Sequence, residues 1–188
     1  MPTPSTPDPA ATPTAPDPVA AGTPAVAVRV AALILQGREL CLIRRHKPGR
    51  GEQFSVPGGL VHHGETTAQA LGRELLEELG LDVAELPEPP LLRHVQDQLT
   101  TRPGSDGLFH RLHLVHAVRV PLTVRQDIAA AELDADDVAE VVWVDVLRAA
   151  GLHLYPAVGP ALATLNQPST ADGTVLLELM TDWTYAWR

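Results

Sequence analysis

A glycine-containing loop that runs directly into a helix, between Gly58 and Leu81, constrains the fold of this chain more than any other stretch. The loop opens with Pro57-Gly58-Gly59, which ends the apolar segment before it. Thr66 and Gln69 have the spacing of a capping box, and Gly80 suits the left-handed residue that follows a helix. The sequence therefore predicts a capped helix with a buried stripe, which recurs every four residues at Leu71, Leu75 and Leu79.

The same helix carries an excess of carboxylates on one side. Glu74, Glu77 and Glu78 stand at positions i, i+3 and i+4, and a helix places such residues on one face. No lysine or arginine is spaced to neutralise them within that face. A divalent cation such as Mg²⁺ or Mn²⁺ prefers oxygen ligands and is the simplest group to balance the charge. A solvated acidic face would also explain the charge, but it would not explain the glycines that precede it.

The composition is that of a soluble globular domain and argues against some partners. The chain has 188 residues, of which 45% are hydrophobic and 20% are charged, enough to bury a core. Its net charge of −9 argues against a polymeric nucleic acid, because binding a phosphate backbone needs a basic surface. Small phosphorylated ligands stay open, since a bound metal ion reverses the local charge.

The cellular compartment of the protein is predicted from its cysteine content and from the length of its apolar segments. A single cysteine, Cys41, cannot form an internal disulfide, and its apolar neighbours predict a buried core thiol. No stretch approaches the roughly 18–20 apolar residues of a transmembrane helix, and residues 1–24 lack the pattern of a secretory signal. We therefore expect a cytoplasmic protein with no membrane partner.

Proline content divides the chain into a tail and a domain. Residues 1–24 hold eight of the 18 prolines, which predicts a disordered tail. Residues 25–188 are expected to form one α/β domain, with a C-terminal strand extension over about 167–188. Apolar and alternating segments predict strands at Val26–Leu35, Leu40–Ile43, Gln53–Val56, Leu91–Leu99, His110–Val120, Val138–Val144 and Thr174–Met180, and short helices at Val146–Ala150 and Val158–Leu165.

Two arginines at the end of the second predicted strand are candidates for contacting a substrate. Arg44 and Arg45 begin a basic cluster that continues to Arg50 in an otherwise acidic chain. The planar fork of an arginine suits a phosphate group, so one of the pair is predicted to bind substrate. A solvated basic loop explains the cluster equally well.

Histidines and aromatic residues later in the chain have more than one interpretation. His110, His113 and His116 lie on one predicted strand, whose alternation places His113 on the face opposite the other two, so one shared metal ion is not expected. Three aromatic residues alternate over 183–187 and are expected to pack a terminal strand. A dimer contact or a stacking surface for a base is the alternative role of Trp183, Tyr185 and Trp187.

The whole stretch resembles the Nudix box, the signature of a family of hydrolases. Gly59 is followed after five residues by Glu65, and after seven more by Arg73-Glu74-Leu75-Leu76-Glu77-Glu78-Leu79-Gly80-Leu81. Every defining position of that pattern is met. The resemblance implies an α/β/α sandwich in which helices flank a mixed β-sheet. It also implies hydrolysis of a nucleoside diphosphate linked to another moiety, with Mg²⁺ or Mn²⁺ as the cofactor.

The resemblance also implies roles for individual residues. The metal-binding groups would be the backbone carbonyl of Gly58 and the carboxylates of Glu74, Glu77 and Glu78. Arg73 and Glu65 would hold the loop and the helix together and orient the acidic face. The general base varies within that family, being a glutamate of the box or an acidic residue of a later loop. Glu74 is the preferred base or metal ligand here, with Asp137 as its assistant, and Asp136 and Glu140 are further candidates.

The sequence leaves several substrates open, and it leaves alternatives to the function that the resemblance implies. The expected substrate is a small phosphorylated nucleotide-type molecule, with nucleoside triphosphates, ADP-ribose, other nucleotide sugars and dinucleoside polyphosphates all open. A Nudix-like module that binds a nucleotide without cleaving it is the alternative function, which the full set of box carboxylates disfavours. An isoprenoid diphosphate isomerase would need a catalytic cysteine, a role that does not suit Cys41. Selectivity is expected from Thr100–Gly107 and from the C-terminal aromatic residues, and a homodimer is left open.

Overall fold

The computed structural model describes residues 26–47, 51–102, 107–132, 139–162, 165 and 173–187, and nine strands within these ranges form one mixed sheet. The strands are β1 (Ala27–Gln36), β2 (Glu39–Lys47), β3 (Gly51–Ser55), β4 (Leu91–Thr101), β5 (Leu108–Arg119), β6 (Ala139–Asp145), β7 (Leu154–Tyr155), β8 (Val175–Leu176) and β9 (Met180–Thr181). The helices are α1 (Thr67–Leu79), α2 (Leu122–Asp127), α3 (Val146–Ala149) and α4 (Gly159–Leu162), and a short 3₁₀ helix spans Val83–Glu85.

Strand β1 lies inside the sheet and is buried on both faces. It pairs antiparallel with β2 and parallel with β5, along the strand order β7-β3-β2-β1-β5-β4-β8, while β6 pairs with β2 and β9 pairs with β4. Its side chains alternate between two apolar clusters. Ala31 and Leu33 face the cluster that includes residues of α3 and α4, whereas Ala32 and Ile34 face α1. Helices therefore cover both faces of a mixed sheet, and the predicted α/β/α sandwich is confirmed.

Most of the predicted elements are present, but the C-terminal one differs. The structure has no continuous strand over the described part of Thr174–Met180, and instead has the two short strands β8 and β9. Residues 177–179 between them are not in a strand, and there the Gln96 side chain donates to the Glu178 carbonyl at 3.0 Å. Among the described residues of the predicted helix Val158–Leu165, the helical part is α4, Gly159–Leu162. Helix α2 was not predicted, since its N-cap residue, Pro121, has no side chain that could form a capping hydrogen bond.

Several predictions fall outside the described residues. These include the tail at 1–24, the basic residue Arg50, and the acidic residues Asp136 and Asp137. The division into a tail and a domain therefore stays a prediction. In the part of the chain that the structure describes, every helix is too short or too polar to cross a membrane.

His113, on β5, belongs to a buried polar network next to the core. The residue is 0% exposed, and its Nε2 lies 2.7 Å from Oε1 of Gln98. Gln98 uses its amide nitrogen to donate to Thr100, so its oxygen accepts and His113 carries its proton on Nε2. Burial is the main cause that lowers the pKa of His113 to about 3, and the nearby positive charges of Arg29 and Arg111 contribute to the same shift. His113 is therefore a neutral core residue rather than a metal ligand.

This buried histidine makes the stability of the protein depend on pH. Between its ordinary pKa of 6.5 and the folded value of about 3, the unfolded chain binds a proton that the folded chain excludes. The stabilisation is complete above pH 6.5 and is lost as the pH falls. For each pH unit below 6.5, we expect His113 to lower the free energy of unfolding by up to about 1.4 kcal/mol. Urea denaturation at several pH values below 6.5 measures this loss.

The matched variants for this prediction are His113→Gln and His63→Gln. His113→Gln should reduce the slope of the free energy of unfolding against pH by the contribution of one bound proton. The second removes an exposed histidine and should leave the slope unchanged. An equal slope in His113→Gln and the unaltered protein would contradict the assignment.

Candidate active site

The loop at 57–61 is held along β1 almost as another strand. Val30 N–H donates to the carbonyl of Gly59 and Ala32 N–H to that of Pro57, both at 2.9 Å. Gly58 has a φ of +127°, and a Cβ there would lie 2.9 Å from the Cα of Ala31 and closer still to the carbonyl oxygen of Val30. The sequence therefore needs glycine at 58 for the loop to approach the central strand.

Helix α1 begins and ends as predicted. The Gln69 amide donates to the Thr66 hydroxyl at 3.2 Å, and the Gln69 side chain accepts from the Thr66 amide at 2.9 Å. Gly80 ends the helix with a φ of 68°. The predicted stripe of Leu71, Leu75 and Leu79 is buried. At Gly72, inside the helix, the nearest group beyond the helix backbone is the Val83 side chain, 3.5 Å from a Cβ built there.

Arg73 joins the loop to the helix and partly neutralises the acidic face. Its guanidinium donates to Glu65 at 2.8 Å and to the carbonyl of Leu60 at 3.0 Å. The same group donates to Glu74 at 2.8 Å and to Glu77 at 3.1 Å. The inference that no arginine neutralises these glutamates was wrong, because the Arg73 side chain lies across the helix surface. The hydrogen bonds from Arg73 are the main cause that lowers the pKa of Glu65 to about 2.

The three box glutamates do not share one environment. Glu77 is half-exposed, whereas the carboxylate of Glu74 lies directly over Gly59, where any Cβ would displace it. Glu78 is buried among the leucines, and its Oε2 accepts from Gly58 N–H at 2.7 Å. Within the described ranges, no three acidic, histidine or cysteine side chains are positioned together as a ready metal cage. The spacing in the sequence therefore placed the three glutamates on one helix, but it did not predict that their environments differ.

A cavity of about 390 Å³ opens beside Glu78. Residues from β1, β2, β3, β5 and α1 contribute to its wall, and so do the segments around β7 and after β9. The described residues that line it are Arg29, Arg45, Gln53, Phe54, Ser55, Gly58, Glu78, Arg102, Phe109, Arg111, Glu132, His153, Tyr155, Tyr185 and Trp187. Its volume falls within the range of small-molecule sites in proteins.

The cavity wall has a positive balance in an acidic chain. The described lining includes four arginines and two carboxylates, Glu78 and Glu132. The buried Arg29 donates to the carbonyl of Gly58, and Arg45 forms an ion pair with Glu132. Burial lowers the pKa of Arg29, although the negative charge of Glu78 opposes that effect. An anionic ligand would offset the excess of positive charge.

Burial is the main cause that raises the pKa of Glu78 to about 8. The amide of Gly58 and the charge of Arg29 lower it, while the carboxylates of Glu132 and Glu74 raise it. The carboxylate oxygens of Glu78, Glu132 and Glu74 are of the type that Mg²⁺ and Mn²⁺ prefer as ligands. A divalent cation would relieve the repulsion between these carboxylates. The donor set therefore fits a divalent cation, with Glu78 and the carbonyl of Gly58 at its centre.

The structure brings together only some of the predicted site residues. Gly58, Glu78 and Arg45 line the cavity. Arg73 donates to both Glu65 and Glu74, and the Glu74 carboxylate lies over Gly59, so these three residues form a neighbouring group outside the described lining. Arg44 points to the surface, where it pairs with Glu140 and lies 3.5 Å from Glu52, so the described lining includes neither Arg44 nor Glu140. The predicted assistant Asp137 lies outside the described residues.

Sequence reasoning missed several residues of the cavity wall. Arg29 and Arg111 are charged residues within the mainly apolar strands β1 and β5, and such exceptions are a usable signal for a functional position. Glu132 lies only four residues before Asp136 in the sequence, but it was not among the acidic candidates of the later loop. Phe109 and Tyr155 carried no local signal, because only the sheet pairing brings them to the cavity.

Comparison with known proteins gives one family. The model of the NUDIX domain matches residues 24–163. A Mycobacterium tuberculosis protein provisionally named 8-oxo-dGTP diphosphatase 2 is 45% identical over 125 residues, which cover 63% of this chain and 81% of that protein. An ADP-ribose pyrophosphatase of Methanocaldococcus jannaschii is 32% identical over 122 residues, which cover 64% of this chain and 62% of the relative.

Solved structures share the fold. A MutT NUDIX hydrolase from Burkholderia pseudomallei superposes with a TM-score of 0.55 at 22% identity, covering 76% of this chain and all of that one. A MutT protein from Methanosarcina mazei gives a TM-score of 0.54 at 18% identity, covering 78% of this chain and 96% of that one. At these identities the likeness concerns the fold alone.

Proposed function

The chain belongs to the NUDIX domain family, and on this basis we propose that it is a pyrophosphohydrolase for a nucleoside diphosphate derivative, dependent on Mg²⁺ or Mn²⁺. One observation supports the proposal most strongly. A single cavity joins Glu78 of the box and Gly58, which directly precedes the box, to the guanidinium groups and aromatic rings that a phosphorylated nucleotide needs. An acidic helix exposed to solvent would not explain that combination.

The residues of the cavity would divide the work between binding and proton transfer. When bound, the divalent cation would neutralise phosphate charge and lower the pKa of a water molecule. Glu78 and the carbonyl of Gly58 would hold it. Arg45, from β2, would bind phosphate oxygens and position the phosphorus atom for in-line attack. Glu74 is our choice to accept the proton of the attacking water, with Glu132 as the acidic residue of the later loop that accompanies it.

The names of the relatives suggest which substrates to test first. The two relatives are named for 8-oxo-dGTP and for ADP-ribose, which differ in the group attached to the diphosphate. Both are small phosphorylated nucleotides, and both carry the negative charge that the arginine-rich cavity would attract. We therefore propose this substrate class and keep the cytoplasm as the expected location.

A substrate panel with metal controls tests the proposed function. The purified chain is incubated with 8-oxo-dGTP, dGTP, ADP-ribose, a nucleotide sugar and a dinucleoside polyphosphate, and products are separated by chromatography. We expect release of a nucleoside monophosphate from at least one substrate with Mg²⁺ or Mn²⁺, and none with EDTA. Tight binding without turnover across the panel would instead support a nucleotide-binding module. Turnover that EDTA leaves unchanged would contradict the metal dependence.

A further inference from the structure

The segment at 173–187 lies beyond the region matched by the family model, yet it supplies part of the cavity wall. Tyr185 and Trp187 line the cavity, and Tyr185 is buried. The aromatic residues were expected to pack a terminal strand. That interpretation was wrong, because the chain turns after β9 and Trp183 is 96% exposed. Two of the three aromatics thus face the site and the third faces solvent.

Backbone pairing and side-chain hydrogen bonds hold this segment in place. Strands β8 and β9 pair parallel with β4, and Met180 of β9 is buried. Asp182 accepts from the amide of Thr101 at 2.8 Å and from its hydroxyl at 2.9 Å. The amide of Tyr185 then donates to the carbonyl of Thr181 at 2.8 Å, which turns the chain towards the cavity. The position of the aromatic pair is therefore fixed by the fold.

The rings form one continuous aromatic wall. Trp187 meets Phe109 edge to face at 5.8 Å, Tyr155 at 5.3 Å and Tyr185 at 5.4 Å between centroids. The guanidinium of Arg102 lies 5.7 Å from the Trp187 ring. Such a wall offers stacking and cation–π contacts to a planar group.

Unsatisfied donors in the same wall indicate a ligand with hydrogen-bond acceptors. The indole N–H of Trp187 and Nε of Arg111 are buried and have no acceptor among the residues that the structure describes. A buried donor without a partner costs free energy, so such groups usually have a partner in the working complex. The ring nitrogens and carbonyl oxygens of a nucleobase are suitable acceptors.

We infer that Tyr185 and Trp187, on the segment beyond the family match, determine specificity by stacking the base of the nucleotide substrate. The inference rests on the proposed function for the orientation of the ligand. The phosphates lie towards Arg45 and Glu78, and the base lies against the aromatic wall. A diphosphate without a base loses these contacts.

Binding measurements on single variants test this inference without requiring turnover. GMP and ribose 5-phosphate are titrated into the unaltered chain by calorimetry, and then into Trp187→Ala. We expect Trp187→Ala to weaken GMP binding roughly 5- to 150-fold, the effect of losing one base–aromatic stack. Ribose 5-phosphate has no base and should bind both proteins equally. Trp183→Ala is the matched control and should bind GMP normally, since Trp183 is exposed.

Further variants make the result independent of folding. Trp187→Phe keeps a ring and should recover most of the GMP affinity if stacking is the cause, and melting temperatures show whether each variant is folded. Unchanged GMP binding in a folded Trp187→Ala would overturn the inference, and so would an equal loss of both ligands. If the unaltered chain binds AMP in place of GMP, the same comparison is made with AMP, and failure to bind either would also overturn the inference. Hydrolysis of substrates lacking a base, without binding of GMP or AMP, would overturn the inference and leave the proposed function standing.

Discussion

Replacement of Glu78 by glutamine is expected to lower kcat for metal-dependent hydrolysis at least about 100-fold, with the fold retained. Glu78 is buried beside the cavity and accepts a hydrogen bond from Gly58 N–H. A glutamine oxygen can accept the same bond, so the loop should keep its position. The negative charge that would hold the cation is lost. Steady-state kinetics over a range of Mg²⁺ concentrations measures the change.

Glu85→Gln provides the matched control for that substitution. Glu85 is exposed on the 3₁₀ helix that follows α1, and its replacement removes the same charge far from the cavity lining. Its activity should equal that of the unaltered chain. A thermal-shift assay adds a second readout, since Mg²⁺ should raise the melting temperature of the Glu85→Gln protein but not that of Glu78→Gln. Full hydrolytic activity in Glu78→Gln would count decisively against the assigned role.

A second large effect is expected from Gly58→Ala, this time on stability. The alanine would adopt a φ near +127° and would bring its Cβ against the backbone of β1. Backbone strain and overpacking together should lower the free energy of unfolding by about 2–6 kcal/mol. Losses of this size are a large share of the stability of an ordinary domain. Urea denaturation measures the loss, and hydrolysis should fall with it because Gly58 lines the cavity.

Gly64→Ala separates the two causes of that loss. Gly64 has a φ of +83°, so an alanine there is strained, but nothing lies within 4 Å of its Cβ. We expect a loss of about 1–2 kcal/mol, the conformational cost alone. Equal losses in the two variants would show that the contact with β1 carries no weight. A Gly58→Ala protein as stable as the unaltered chain would contradict the described path of the loop.

Local signals explain why α1 could be predicted almost to the residue. The signals are local. The capping box of Thr66 and Gln69, the spacing of the leucines and the glycine at position 80 all lie in the helix or directly beside it in the sequence. The burial of Glu78 has another origin. It depends on the loop at 57–61, which is hydrogen-bonded to β1 and lies beside the helix. The three glutamates therefore look equivalent in the sequence, although their exposures differ widely in the structure.

Non-local contacts explain what could not be predicted. Arg29 and Arg111 lie on neighbouring strands whose parallel pairing is set by the whole sheet. The alternation of aromatic residues over 183–187 imitates a strand, but the Thr184 hydroxyl donates to the carbonyl of Leu179 at 2.9 Å and supports a turn there. A turn closed by a threonine side chain has a weak sequence signature compared with one built on glycine or proline. The sequence thus singled out the aromatic residues now proposed to stack the base, but it predicted the wrong backbone conformation for them.

The parallel pairing of β8 and β9 with β4 also bears on self-association. Strand β4 is 11 residues long and would otherwise offer its unpaired amides and carbonyls to another chain. The strands that cover it have two residues each, and the path between them leaves the ladder. Edges so short and interrupted are poor templates for sheet extension. Among the described elements, this border is therefore guarded against edge-to-edge aggregation, and a homodimer built by continuing the sheet across it is not expected.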